Sequence, residues 1–506
     1  MIHGGQWWVA GVPGISRAAM RAALVLPAVS ETREASACRA GGDGRARRHD
    51  RRDRSGALLS ATALALIAVG ILCAAHGELA AAGLAVTAMA AVYGALRSPE
   101  ALLACWFAVS PWASYILRYP AERSIVTFDR LVVVAVAVGL LARRWRGGSL
   151  RGPNLFEAAW ACYTVVALLS VLALSAENGY ALRIAVDAFA LPLLLFYALR
   201  SGFDPRQGGR ALLWGAIILA LALPWVGVYE FFAGRDVIAY AGGEIYRDGI
   251  VRTNGPFPSD ISYTIVSTLV VLCLEWMPRA FGLQVAGPAR WVWRGAQTAA
   301  VVAALLPLFR TVVIALAGAL VLGYLLTGRA RGLARVSIVM MLVGVAALPL
   351  LPRASETPTF RNRVADPSSA YSRLATFLSG AEVIGDHPLT GVGLANYRGY
   401  FDEKYETARD LDEVEGVRAA NSPHNNVLGA WAELGLAGVF FYLLATVALF
   451  ASALRRRSAF ALSLLAAYAV IGLTLQSSVY PEASLYYFCA LGVALGGLET
   501  PDSDPV

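Results

Sequence analysis

Of the five histidines in this sequence, two stand where an imidazole could do chemistry. His3 and His49 lie in a polar N-terminal region, and His76 in a short turn between apolar runs, which leaves His387 and His424. His424-Asn425-Asn426 closes a long charged segment and opens an apolar run, so the imidazole is expected at a water–lipid boundary. There it is either a general base, since imidazole titrates near neutrality without help, or a residue that only satisfies a helix end. The competing carboxylates Asp402, Glu403, Glu406 and Asp410 sit in a segment polar enough to keep them solvated. Arg310, in Leu308-Phe309-Arg310-Thr311, divides two apolar runs, where a charge is costly unless it snorkels or meets an anion. Arg373 opens a helical pattern, and Arg252 sits in the turn-rich Arg252-Thr253-Asn254-Gly255-Pro256-Phe257. A guanidinium grips two phosphate oxygens through its planar fork and stays charged at any relevant pH. Taken singly, each reads equally as a surface ion pair; Arg310, Arg373 and His424 on one membrane face together favour an anion site.

Other polar residues point to structure. Arg183 and Asp187, four apart on one helix, are placed to pair. Glu433 follows His424 by nine residues, which on a regular helix turns it to the opposite face and roughly 13 Å deeper. It is expected to be a buried carboxylate bonded to a neighbouring helix. Gly391-Val392-Gly393 lacks the third glycine and preceding strand of a dinucleotide loop. Asp410-Leu411-Asp412 has the spacing of a metal clamp, but such pairs arise easily in so acidic a stretch, and no metal or other cofactor is expected. Cys38, Cys73, Cys105, Cys162, Cys273 and Cys489 are scattered without metal-ligand spacing or a disulfide framework.

The elements that must position these groups are membrane helices. Hydrophobic residues make up 57% of the chain and charged residues 15%, which no ordinary soluble domain of this length shows. Apolar runs fall near 57–75, 79–96, 101–117, 126–142, 156–174, 181–199, 211–232, 260–277, 295–309, 311–327, 335–351, 427–453, 459–479 and 483–498. A crossing takes about 17–25 residues, so the expected fold is all-α, a polytopic bundle of about 12–14 transmembrane helices. Residues 1–55 read as a disordered, Arg-rich cytoplasmic tail without the h-region and cleavage site of a secretory signal. Residues 56–351 hold the N-terminal transmembrane helices, 352–426 a long extracytoplasmic loop with short helices, and 427–499 the C-terminal transmembrane helices.

The net charge of +8 is carried by arginine almost alone, Lys404 being the one lysine. The arginine clusters at 143–146, 200–210, 279–294, 329–335 and 455–457, with Arg97 and the tail, all fall on alternate loops. They act as topology signals, with that side cytoplasmic, rather than as a nucleic-acid surface. The other face displays 118–127, 175–180, 234–259, the turn at Phe309-Arg310 and the long loop. Within that loop Leu374, Phe377, Leu378, Ala381 and Ile384 repeat at helical spacing after Ser372, which predicts an amphipathic helix over 372–385 lying on the membrane.

His424-Asn425, nine residues, then Gly435-Leu436-Ala437-Gly438 resembles the signature of the bacterial O-antigen ligase and O-antigen polymerase superfamily. Asp386-His387-Pro388-Leu389-Thr390-Gly391-Val392-Gly393-Leu394-Ala395-Asn396-Tyr397 is similar to that family's segment ahead of the histidine, and Ser372-Arg373-Leu374 resembles its loop arginine. Arg310 matches the arginine of a Ser-Arg pair, with Phe309 in place of the serine, and the turn at Arg252 a third arginine element. The resemblance implies a multi-pass enzyme of the cytoplasmic (inner) membrane with its site on the extracytoplasmic face. It would move a glycan from a polyprenyl-pyrophosphate carrier to lipid A core, another surface glycan or the next repeat unit. His424 would be the base and Arg310, Arg373 and Arg252 the pyrophosphate ligands, with Asn425 and His387 as secondary candidates. The reaction would invert the anomeric centre without metal or nucleotide. A secondary transporter is the alternative from another class, and would carry paired broken helices and midplane charges.

Overall fold

The computed structural model describes residues 80–119, 125–148, 150–175, 178–233, 253–307, 309–334, 368–397 and 423–496, with a few isolated residues between them. The N-terminal tail, Arg252, residues 335–367 and the Asp410-Leu411-Asp412 pair lie outside the described residues.

The described chain is helical, as its hydropathy predicts. In order come α1 (Ala80–Arg97), α2 (Pro99–Ile116), α3 (Phe128–Arg146), α4 (Leu155–Ala173), α5 (Asn178–Ile184), a π turn (Ala185–Ala190), α6 (Leu191–Gly202) and α7 (Pro205–Ala233). Then follow α8 (Asp260–Ala280), α9 (Pro288–Leu305), α10 (Arg310–Leu326), α11 (Ser368–Asp386), α12 (Asn426–Arg455), α13 (Ala459–Gly472), a 3-10 turn (Ser477–Val479) and α14 (Pro481–Gly496). Two hairpins of two-residue strands, Arg118–Tyr119 with Val126–Thr127 and Tyr246–Arg247 with Ile250–Val251, lie in expected outer loops. Among the described residues five helices are long and apolar enough to cross a membrane, Leu155–Ala173, Gly179–Gly202, Pro205–Ala233, Asp260–Ala280 and Asn426–Arg455. Three shorter ones are apolar as well. The protein is a multi-pass membrane protein.

Helix starts are written in capping residues. Ser98, Thr127, Ser259 and Ser458 each accept a bond from a backbone N–H of the first turn. Asn154 and Glu157 form a reciprocal capping box, and Arg200 then grips Glu157 at 2.6 and 2.8 Å. That ion pair joins the start of α4 to the end of α6. Arg143 bonds Gly202 O at 2.7 Å and pairs with Glu100, and Arg456 bonds Leu495 O at 2.6 Å. The arginine-bearing ends are thus tied to one another at one end of the bundle.

The centre is α8 and α14, buried on every face from Ser262 to Pro278 and from Ala483 to Gly496. Close crossings depend on small residues, since a Cβ at Gly215 would sit 2.5 Å from Ala104 O. Around the outside, Leu172, Trp225 and Phe232 are exposed, as suits side chains facing lipid tails.

Candidate active site

The end away from the arginine clusters holds His424 and Arg310. Asn425 caps α12: its side-chain oxygen accepts from Val427 N at 2.8 Å and Leu428 N at 3.1 Å. His424 just before it is half-buried and adopts φ +45°, an uncommon conformation for a non-glycine residue, so the backbone turns sharply there. Asn425 Nδ2 donates to Leu473 O at 3.2 Å, at the end of α13. The next residue, Thr474, hydrogen-bonds through its hydroxyl to Thr311 at 3.0 Å. Thr311 follows Arg310, which is exposed at the first position of α10. Consecutive residues of one short segment therefore hold the neighbours of His424 and of Arg310, residues more than a hundred apart in sequence.

Arg252 is outside the described residues, but the turn after it is firmly placed. The buried Glu230 of α7 accepts from Gly255 N at 2.6 Å, Thr253, Asn254 and Phe257 are buried, and α8 starts at Asp260. Sequence reading gave no sign of Glu230. Arg373 lies on α11, and its side chain is outside the described residues.

The predicted amphipathic helix is α11, extended to 19 residues. The face turned inward carries Thr376, Ser379 and Val383, all buried, while Leu374 and Leu378 are 53% and 46% exposed. Leu374 and Leu378 thus point away from the protein, as suits a helix resting on lipid, whereas Ile384 of the same stripe packs against the cluster beneath. Val383 packs with Val392, Tyr397 and Ala432 in a small cluster separate from the main core. Burial there pushes the Tyr397 phenol up, which keeps it neutral. His387 ends α11, its ring nitrogen bonded to Tyr400 and its carbonyl accepting from Gly391 N at 3.0 Å. These contacts tie the end of α11 to the loop that follows it.

One expectation is revised. The apolar run read as a single span over 427–453 is broken at Gly435, with φ +67° and ψ −163° inside α12. The segment around Gly391-Val392-Gly393 lies against the break. Val392 N donates to Ala432 O at 2.9 Å, Gly393 N to Glu433 O at 3.0 Å, and Leu436 N to Leu389 O at 3.2 Å. A Cβ at Gly391 would lie 2.5 Å from Glu433 O. The same segment anchors to α4, where Leu394 N meets Ser170 Oγ at 3.0 Å and Ser175 Oγ meets Leu394 O at 2.8 Å. The two glycine motifs are therefore two halves of one backbone junction. A glycine pair within an apolar run longer than a crossing needs was the available signal.

Glu433 is buried and bonded to Gln476 Nε2 at 3.3 Å, as a structural carboxylate should be, with Gln476 in the segment after α13. Arg183 does reach Asp187, at 3.6 Å, but the stronger partner is Arg130, which holds both carboxylate oxygens at 2.6 and 2.7 Å. Asp129 beside it takes bonds from Trp106 Nε1, Ser110 and Ser114. Among the described residues no group of three or more His, Cys, Asp or Glu side chains is placed to hold a metal ion.

The fold and site define a multi-pass helical membrane protein with polar machinery gathered at one end. Residues 295–443 match the family model described as O-antigen ligase, under a third of the chain but including Arg310, Arg373, His424 and the Gly435 junction. This segment is therefore similar to the O-antigen ligase superfamily, and the match supports a membrane glycan enzyme of ligase or polymerase type. No curated protein matches the chain.

Proposed function

We propose that the protein transfers a glycan from a polyprenyl-pyrophosphate carrier to a hydroxyl of lipid A core or another surface glycan, on the extracytoplasmic face of the inner membrane. His424 takes the proton from the acceptor hydroxyl as its oxygen attacks the anomeric carbon. The bond to the diphosphate breaks on the opposite face, so the centre inverts. Polyprenyl diphosphate leaves as an anion, and Arg310, Arg373 and Arg252 hold the charge that develops on it. A repeat-unit polymerase of O-antigen or exopolysaccharide uses the same steps with a different acceptor. What supports the reading above all is that Leu473 and Thr474 tie the neighbours of His424 and Arg310 to one point at the end away from the arginine clusters.

The break at Gly435 speaks for a carrier, since transporters bind ions at broken helices. Yet the carbonyls of Ala432 and Glu433 at this break accept from Val392 and Gly393, so the loop occupies the groups a transported ion would need. The deciding experiment reconstitutes the purified protein in liposomes with a polyprenyl-pyrophosphate-linked oligosaccharide and a lipid-linked glycan acceptor. Glycan joined to the acceptor is the expected result. Solute uptake without transfer would overturn the proposal.

A further inference from the structure

The segment between α13 and α14 lies beyond the family match, yet its polar groups bond to elements that carry the proposed site. Besides the bonds from Leu473 O to Asn425 and from Thr474 to Thr311, Ser477 Oγ accepts from Asn426 Nδ2 at 2.9 Å. Ser478 N donates to Asn426 Oδ1 at 3.1 Å, and Gln476 donates to Glu433. Gln476, Ser477 and Ser478 are all buried. A buried polar side chain needs a partner, and within a helix the nearest is its own backbone. Thr164, Thr264, Thr268 and Thr446 take that local solution, each bonding the carbonyl four residues back. Thr474 has a local carbonyl too, Ile471 O at 3.3 Å, but its hydroxyl lies closer to Thr311 on another helix.

Resting on the transfer reaction proposed above, we infer that residues 473–478 form a positioning strap that fixes the distance between His424 and Arg310. Thr474 is its positioning residue, acting through Thr311 on the guanidinium next in the chain. Base and phosphate ligand have to close on opposite sides of one anomeric carbon, so a small slip between them costs rate rather than binding.

The test measures transfer by the full-length protein in liposomes, from a polyprenyl-pyrophosphate-linked oligosaccharide to a lipid-linked glycan acceptor. Thr474→Val keeps the shape and removes the hydroxyl, and should lower kcat about tenfold with the donor KM changed less than about twofold. Thr474→Ser restores the hydroxyl and should restore kcat. Thr311→Val removes the same bond from the other side, should match Thr474→Val, and serves if the first variant fails to fold. Combined with Arg310→Lys, Thr474→Val should add little further loss, because both act on the same contact. Wild-type kcat in both valine variants overturns the inference. So does a loss that adds in full to that of Arg310→Lys and follows a lowered thermal midpoint, the mark of a merely structural bond. Should His424→Ala and Arg310→Ala themselves transfer at the wild-type rate, the proposed reaction fails first, and the strap with it.

Discussion

Replacing Gly435 by alanine attacks the junction beneath the site through one methyl group. At φ +67° and ψ −163° the residue occupies a region essentially reserved for glycine, and an L side chain there costs of order 1–3 kcal/mol. The new Cβ would also run into Leu389 O and lie 2.7 Å from the Thr390 carbonyl carbon. Relief requires the loop to withdraw, and the three backbone bonds that join Leu389, Val392 and Gly393 to α12 go with it. At about 1 kcal/mol each these raise the expected loss to roughly 4–6 kcal/mol, a large part of a typical net stability. Gly385→Ala is the control: this glycine is in α11 with nothing within 4 Å of the added Cβ, and the exchange should be neutral or stabilise by up to about 1 kcal/mol. Thermal unfolding in detergent should show a large fall for the first variant and none for the second, with transfer lost only in the first. Equal midpoints and equal activities would refute the reasoning, because the junction would then carry no weight.

Four further outcomes are expected. His424→Ala should insert normally and lose about 10²–10⁴-fold in transfer, and its residual rate should no longer fall as pH drops through the imidazole range; more than roughly a tenth of wild-type activity would leave the histidine a structural residue. Arg310→Lys and Arg373→Lys should each retain little activity, since a point charge cannot reproduce a bidentate phosphate contact, and near-normal turnover at unchanged expression would rule out that role. Arg130→Ala leaves Asp187 only the more distant Arg183 and should destabilise by up to about 3–5 kcal/mol, whereas Arg183→Ala, whose half-exposed side chain is the weaker partner, should cost under about 1 kcal/mol; equal losses would show that distance is a poor guide here. Cysteines placed at Ser368 and Ala408 should react with an impermeant reagent in whole cells, and labelling only after lysis would reverse the orientation.

The helices themselves were legible because a crossing needs a long apolar run and little else. The helix of α11 could be read as well, from Leu374 and Leu378 at helical spacing, but not that Ile384 of the same stripe would pack inward. The convergence of Arg310 and His424 could be expected from topology, but not the means, because Thr311 and Thr474 are 163 residues apart. Arg130 escaped notice as the partner of Asp187 for the same reason, while the local pairing with Arg183 was visible at i, i+4 spacing. The break at Gly435 was hidden by hydropathy, which measures how apolar a segment is and not whether its backbone bonds continue. Its energetic sense appears only with the Gly391-Val392-Gly393 segment laid against it.

That break also bears on how the molecule is made. Residues 436–455 alone, at 1.5 Å per residue, reach about 30 Å, the thickness of the hydrocarbon core. This stretch is therefore able to partition into the bilayer on its own as it leaves the ribosome. The nine residues from Asn426 to Leu434 have no such means of finding their place, because they are held by the loop synthesised before them and by the strap synthesised after. We expect this half-helix to dock last, once α13 and α14 are in, so that a chain stopped short of Thr474 would be inserted but still protease-sensitive near His424. The proposed site would then be completed only after α13, the strap and α14 are in place.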